Sequence, residues 1–483
     1  MTVAGYQPIE APSQNDAFVR GVSESIGGPL GRHATRPRDR FWVVMRLVVA
    51  LTAFTLMLHW AQKSDCADGN WLNLKEYRHA CYTDVVALYN SEHLNNGKIP
   101  YADQAVEYPV LTGVFMAATG LPVHAATKGT HDNAYMWFYN INAFLLGLAA
   151  IGTVIALVML RRRRPWDAAM FAASPALLLG ATINWDLLAV LLAVCGLLAW
   201  ARRHPALAGV LLSLGVSAKL WPALLFIPLF MLGWRARRLG EVVYAASVAV
   251  LVWVLVNLPF IIFYTANWRE FYTFNFERGI DWGSFWYIGA NMPHLVGSGV
   301  GIPGFAWVSS HVTALNFFSY GLFALACVGL FALTAVAPRR PRVAQLAFLT
   351  VAAFLIFSKV WSEQYALWLV PLAVLARPRW PAFVAWQLAE VCYFFALDGE
   401  LMRASGNPIF PEATFIIGAL LRLVTLLVLC GFVIRDIMRP EDDVIRASYE
   451  DDPDGGVFDG TLDRTEPLGM LRLDRAGSAS SAS

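Results

Sequence analysis

Charge is what this sequence has least of. Only 15% of its 483 residues are Asp, Glu, Lys or Arg, 57% are hydrophobic, and the mean hydropathy is +0.50. So few charges cannot cover a soluble fold of this length, which leaves a polytopic membrane protein as the class. Lysine is scarcer still: Lys63, Lys75, Lys98, Lys128, Lys219 and Lys359 are all there is. The six cysteines form no CxxC pair and no His/Cys spacing of a zinc site, and no glycine-rich phosphate loop occurs. No metal, cofactor or nucleic-acid partner is expected. A cleavable signal is also missing, since the first forty residues are polar and the apolar run Phe41–Trp60 is long enough to remain as a span. The net charge of +2 says little, because the charges are segregated.

Arginine supplies the topology. Clusters recur at Arg32 to Arg40, Arg161 to Arg164, Arg202–Arg203, Arg235 to Arg238, Arg339 to Arg342 and Arg377 to Arg379. Treated as cytoplasmic, they require an even number of spans between neighbours. The expected architecture is an all-α bundle of about twelve spans with both termini inside. It includes Trp166–Ile183 as one span and two short pairs broken near Lys219 and Lys359. Val110–Val123 breaks this parity and is expected as a re-entrant or interfacial hairpin on the outer surface. Three regions result: a disordered cytoplasmic segment 1–40, a membrane domain 41–438, and a disordered acidic tail 439–483. All six lysines then fall on the outer side. Cys66 and Cys81 share the first outer loop, where a disulfide and two free thiols are both open readings.

The outer ends of the spans collect acids and bases, while the inner ends carry little besides Arg. Lys219 in SAKLWP and Lys359 in FSKVWS each interrupt an apolar run. A lysine at mid-bilayer costs about 2.5–3.5 kcal/mol, so an unpaired placement is disfavoured. Each either snorkels to the surface or joins the other in neutralising a buried anion such as phosphate. An aliphatic residue and a Trp follow each lysine, which would make them equivalent halves of one site. Asp84 in YTDVVALY is either a helix-start carboxylate or a general base close to the membrane. Glu107, before Tyr108-Pro109, reads as a binding acid, and Asp186 as a helix cap or a second site carboxylate. The outer loop 265–312, with Arg278 and His294 among its aromatics, reads equally as an interfacial belt or as a lid over a carbohydrate.

The ordered set Tyr82-Thr-Asp84, Gly97-Lys-Ile-Pro-Tyr101, Glu107-Tyr-Pro109, Asn184-Trp-Asp186, Lys219-Leu-Trp-Pro222 and Ser362-Glu-Gln-Tyr365 spans residues 82 to 371 when Trp368 and Pro371 are included. It resembles the GT-C superfamily of membrane glycosyltransferases, most closely the polyprenyl-phosphate-mannose-dependent enzymes of glycosyltransferase family 87. The resemblance implies an inverting transferase in the cell membrane with its site facing outward. It would move a mannosyl or other sugar unit from a polyprenyl-phosphate donor to an envelope glycolipid or polysaccharide. It implies Asp84 as base and Lys219, Lys359 and Arg278 as ligands of the donor phosphate. Glu107, Tyr108, Asp186, His294, Glu363, Gln364 and Tyr365 would shape the substrate site. Membrane lipids complete the expected partners. A lipid or polysaccharide transporter and a non-catalytic assembly scaffold are the competing classes.

Overall fold

The computed structural model describes residues 40–463 apart from 68–70, 72, 128–130, 297–301, 303 and 462, together with Ala17, Phe18 and Gly21. The expectation for the rest of the N-terminal segment lies outside the described residues.

The described chain is an all-α polytopic membrane protein. Its helices are α1 (Arg40–Ala67), α2 (Lys75–Arg78), α3 (Asp84–Ser91), α4 (Val110–Thr127), α5 (His131–Leu160), α6 (Ala169–Ala172) and α7 (Pro175–Gly180). Then come α8 (Asp186–Ala201), α9 (Pro205–Ala218), α10 (Phe226–Arg235), α11 (Leu239–Phe263), α12 (Thr265–Glu277), α13 (Phe285–Val296) and α14 (Phe305–Ser310). The last are α15 (Val312–Val336), α16 (Val343–Phe357), α17 (Ala366–Ala376), α18 (Trp380–Ala404), α19 (Glu412–Met438) and α20 (Val444–Ser448).

Seven of these are long and apolar enough to cross a membrane: α1, α4, α5, α11, α15, α18 and α19. Burial sorts them. In α1 the buried residues are Val44, Val48, Thr52, Thr55, His59, Lys63 and Cys66, a stripe at helical spacing, and the other faces expose apolar side chains suited to lipid. The short helices α16 and α17 are central instead. Every residue of α17 is buried, as is the run Val343–Ala352 of α16. Their length is set by loops that fold into the bundle at both ends.

Two segments differ from expectation. Trp166–Ile183 is not one helix, because Pro165 and Pro175 each start a new one, and the Ser174 hydroxyl accepts the Leu177 N–H at 3.2 Å to cap the second. Val110–Thr127 is a single continuous helix rather than a hairpin. Its start borders the loop carrying Tyr108, and its end is tied to the same loop by His124 against the Asn95 carbonyl at 2.8 Å. It therefore lies with the first loop rather than bridging the two ends of the bundle.

The acidic C-terminal segment is the largest correction. Residues 440–461, with Asp463, are folded onto the arginine clusters, which share one end of the molecule. Arg161 pairs with Asp454 at 2.6 Å, Arg342 with Asp443 at 2.7 Å and Arg340 with Asp451 at 2.9 Å. Arg203, Arg235 and Arg379 donate to the carbonyls of Gly456, Asp463 and Asp442. Five separate loops are thus gathered by one segment whose carboxylates match them. The expectation for 464–483 lies outside the described residues.

Candidate active site

At the opposite end, a cavity of about 950 Å³ opens among the first loop, the α12–α13 region and the 358–365 loop. Its floor is built by breaks in the central helices. α9 ends at Ala218, and Lys219 is extended (φ −156°, ψ 139°) before Pro222 starts a single 3₁₀ turn over Trp221–Leu225. α16 likewise ends at an extended Ser358, followed by Lys359. Each break turns a lysine out of the helical run.

Asp84 is held from three sides. Its N–H donates to the Ile183 carbonyl at 2.7 Å, and the preceding Thr83 hydroxyl donates to Thr182 O at 2.6 Å. The Tyr82 hydroxyl donates to Asp84 Oδ1 at 2.6 Å, and Asn184 Nδ2 to Oδ2 at 2.9 Å. Lys63, fully buried in α1, donates to the Tyr82 carbonyl at 2.7 Å, and Cys81 just upstream is disulfide-bonded to Cys66, so that pairing is made. Burial pushes the Asp84 carboxyl up, while the Tyr82 and Asn184 donors pull it back down.

Asn184 links this carboxylate to the first lysine. Its Oδ1 accepts Lys219 Nζ at 3.4 Å while its amide nitrogen serves Asp84 and the Tyr108 hydroxyl. Lys219 also meets Asp186 Oδ2 at 3.2 Å and lies over the rings of Tyr108 and Tyr365, at 5.3 and 5.5 Å. Asp186 is fully buried and accepts Trp368 Nε1 at 2.6 Å. It stands behind Lys219 rather than in the cavity wall, so it can contact substrate only through the lysine.

Lys359 is held differently. It donates to the Phe276 and Arg278 carbonyls at 3.0 and 2.7 Å, and has no carboxylate within ion-pair distance among the described residues. Burial, helped by the neighbouring Arg278 charge, lowers its pKa to about 8. The two lysines are therefore not equivalent halves. Trp221 lines the cavity, but Trp361 is fully buried beneath Arg422, 4.2 Å from its guanidinium. Arg422 in turn binds the Trp361 and Ser362 carbonyls at 2.9 Å each and pairs with Glu390 at 3.0 Å, which fixes the loop.

Asp84, Glu107, Tyr108, Lys219, Arg278, Lys359, Glu363, Gln364 and Tyr365 all face this one cavity. Of the remaining candidates, Asp186 stands in the second layer and the His294 side chain lies outside the described residues. Phe271, Phe274, Arg278 and Trp282, all from the first part of loop 265–312, form a wall of the cavity. Sequence reasoning assigned no role to Asn184, although it lies in a motif already singled out. Nor did it single out Asn316 and Ser319, whose polarity inside an apolar helix was the available signal.

Together these features define a membrane-embedded protein with a charged cavity at one end, which a half-buried carboxylate and two ammonium groups line. More specifically, the chain belongs to glycosyltransferase family 87, whose family model matches residues 108–361, more than half of its length. It is thus a glycosyltransferase by family, acting on a sugar donor and an acceptor. No curated protein matches the chain.

Proposed function

We propose that the protein transfers a sugar, mannosyl by its family resemblance, from a polyprenyl-phosphate donor to a cell-envelope glycan or glycolipid at the outer face of the cell membrane. One observation carries this reading: a single amide, Asn184, joins the Asp84 carboxylate to the Lys219 ammonium in a cavity that Lys359 also lines. A base and a receptor for a departing anion are thus poised over one space.

In the proposed step, Asp84 takes the proton of an acceptor hydroxyl as its oxygen attacks the sugar C1. The bond from C1 to the lipid phosphate breaks, and its electron pair leaves with the phosphate. Charge grows on that phosphate as an oxocarbenium-like centre forms, so Lys219, Lys359 and Arg278 bind the transition state more strongly than the ground state. One base and one displacement give inversion. Glu107, Tyr108, Glu363, Gln364 and Tyr365 contact the sugars, and Asp186 holds Lys219 in place.

A lipid-linked donor is supported by the apolar branch of the cavity. Phe323, Phe354 and Leu224 line it, and Leu220 and Tyr320 carry it to the apolar outer surface of the bundle. The arginines at the far end support the outward orientation. A transport route has no such support, since the fully buried α17 and the Arg–Asp pairs fill the space between the cavity and that end.

The test is transfer from polyprenyl-phosphate-mannose into membrane acceptors by the purified chain. Asp84→Asn should lower turnover on the order of a hundredfold or more. Full activity in that variant would end the base assignment.

A further inference from the structure

The outer part of α15 turns two polar residues, Asn316 and Ser319, toward the cavity. They are three positions apart and so share a face, and both line the cavity wall. Asn316 is 4% exposed and Ser319 5%. The Asn316 amide orientation is set by its Nδ2, which donates to the Phe276 carbonyl at 2.8 Å. That leaves its Oδ1 without a partner, and the Ser319 hydroxyl has none either. Unsatisfied buried polar atoms are disfavoured, and polar residues in membrane helices mark substrate paths.

Their neighbours define the ligand. Lys359 donates to the same Phe276 carbonyl as Asn316, so the two side chains share an anchor. Two of the three ammonium N–H groups are used on carbonyls, which leaves one for a ligand. One turn further along α15, Phe323 faces Phe354 at 5.5 Å and begins the apolar branch. A cation, a hydroxyl and an amide oxygen thus stand just ahead of an apolar passage. Phosphate oxygens at neutral pH only accept, so they suit Lys359 and Ser319 but not Asn316 Oδ1. That oxygen needs a donor, which a sugar hydroxyl supplies and a bare lipid phosphate does not.

We infer that Asn316 and Ser319 form a headgroup clamp for a lipid-phosphate-linked sugar. Ser319, with Lys359, holds the phosphoryl group, and Asn316 accepts from a hydroxyl of the attached sugar. The clamp rests on the donor reading above and adds a consequence: Asn316 contributes to holding the loaded carrier and not the spent one.

Binding of polyprenyl monophosphate and of polyprenyl-phosphate-mannose to the full chain in nanodiscs tests this. Asn316→Leu should weaken the mannose-bearing lipid by roughly three- to tenfold and leave the bare lipid phosphate unchanged. Ser319→Ala should weaken both by a similar factor. Asn316→Ala gives the same reading should leucine disturb insertion. Equal effects of the Asn316 variants on the two lipids, or none on either, would overturn the clamp while leaving the donor reading standing. A wild-type chain that binds neither lipid would remove both.

Discussion

Asp84 works against its own surroundings. Burial disfavours its charged form, and two donors, the Tyr82 hydroxyl and the Asn184 amide, keep that form accessible. A base must be ionised, so turnover should fall as pH drops through a pKa above the usual carboxylate value of about 4. Asn184→Ala removes one donor and should move that acid limb upward, as measured by kcat/KM against pH. An unmoved limb would detach Asp84 from the rate. Lys359 sets the other side. Its ammonium is present below about pH 8 and is lost as pH rises through that value. Donor KM should therefore climb above pH 8, and Lys359→Arg, which stays charged, should abolish the climb. Lys359 is legible in the sequence because a charge inside an apolar run is too costly to be incidental, and Asp84 because it lies close to the membrane among polar and aromatic residues. Asn184 is not, since a neutral amide carries no such penalty and its bridging role exists only after residues a hundred positions apart have met.

Elements show the same division. The short pairs around Lys219 and Lys359 are readable because a lysine interrupts each apolar run, with Pro222 following the first. The break inside Trp166–Ile183 is governed by the same chemistry at Pro165 and Pro175, yet uniform hydrophobicity conceals it. Continuity of Val110–Thr127 is hidden too, because arginine parity rules it out as a crossing span and a short apolar run that does not cross reads as a hairpin, whereas the chain forms one helix. Loop 278–284 offers a test at this scale. Gly283 has φ +71°, and a Cβ there would lie 2.1 Å from the hydroxyl oxygen of Tyr393, which lines the cavity. Gly283→Ala is strained in its backbone and must also displace that ring. Substrate KM should rise several-fold, with a lower melting temperature of the detergent-solubilised chain. Wild-type kinetics would mean that the wall at Tyr393 is not in contact with substrate.

Across the whole molecule, the two ends divide the labour. Chemistry gathers where helices break, and cohesion where the C-terminal segment ties five loops together. An acidic run followed by Ser and Ala reads as a solvated tail because its complement is scattered among arginines from residue 161 to 379, and no local pattern reveals that match. The pairs are interior ones: Asp443 is 2% exposed and Arg342 not at all. Removing one partner leaves a buried, uncompensated charge, so Asp443→Ala should cost about 3–5 kcal/mol, whereas replacing both partners with apolar residues is often neutral or better. The double variant Arg342→Met/Asp443→Leu should therefore recover most of the thermal stability lost in the single one. Salt should alter neither result much, because buried pairs are weakly screened. Neither variant touches the cavity, so donor and acceptor KM at a permissive temperature should stay at wild-type values. A single variant that melts normally would reduce the segment to a surface contact. One that melts normally but changes KM would instead couple the arginine end to the site, through α16 and α17, the central helices that connect them.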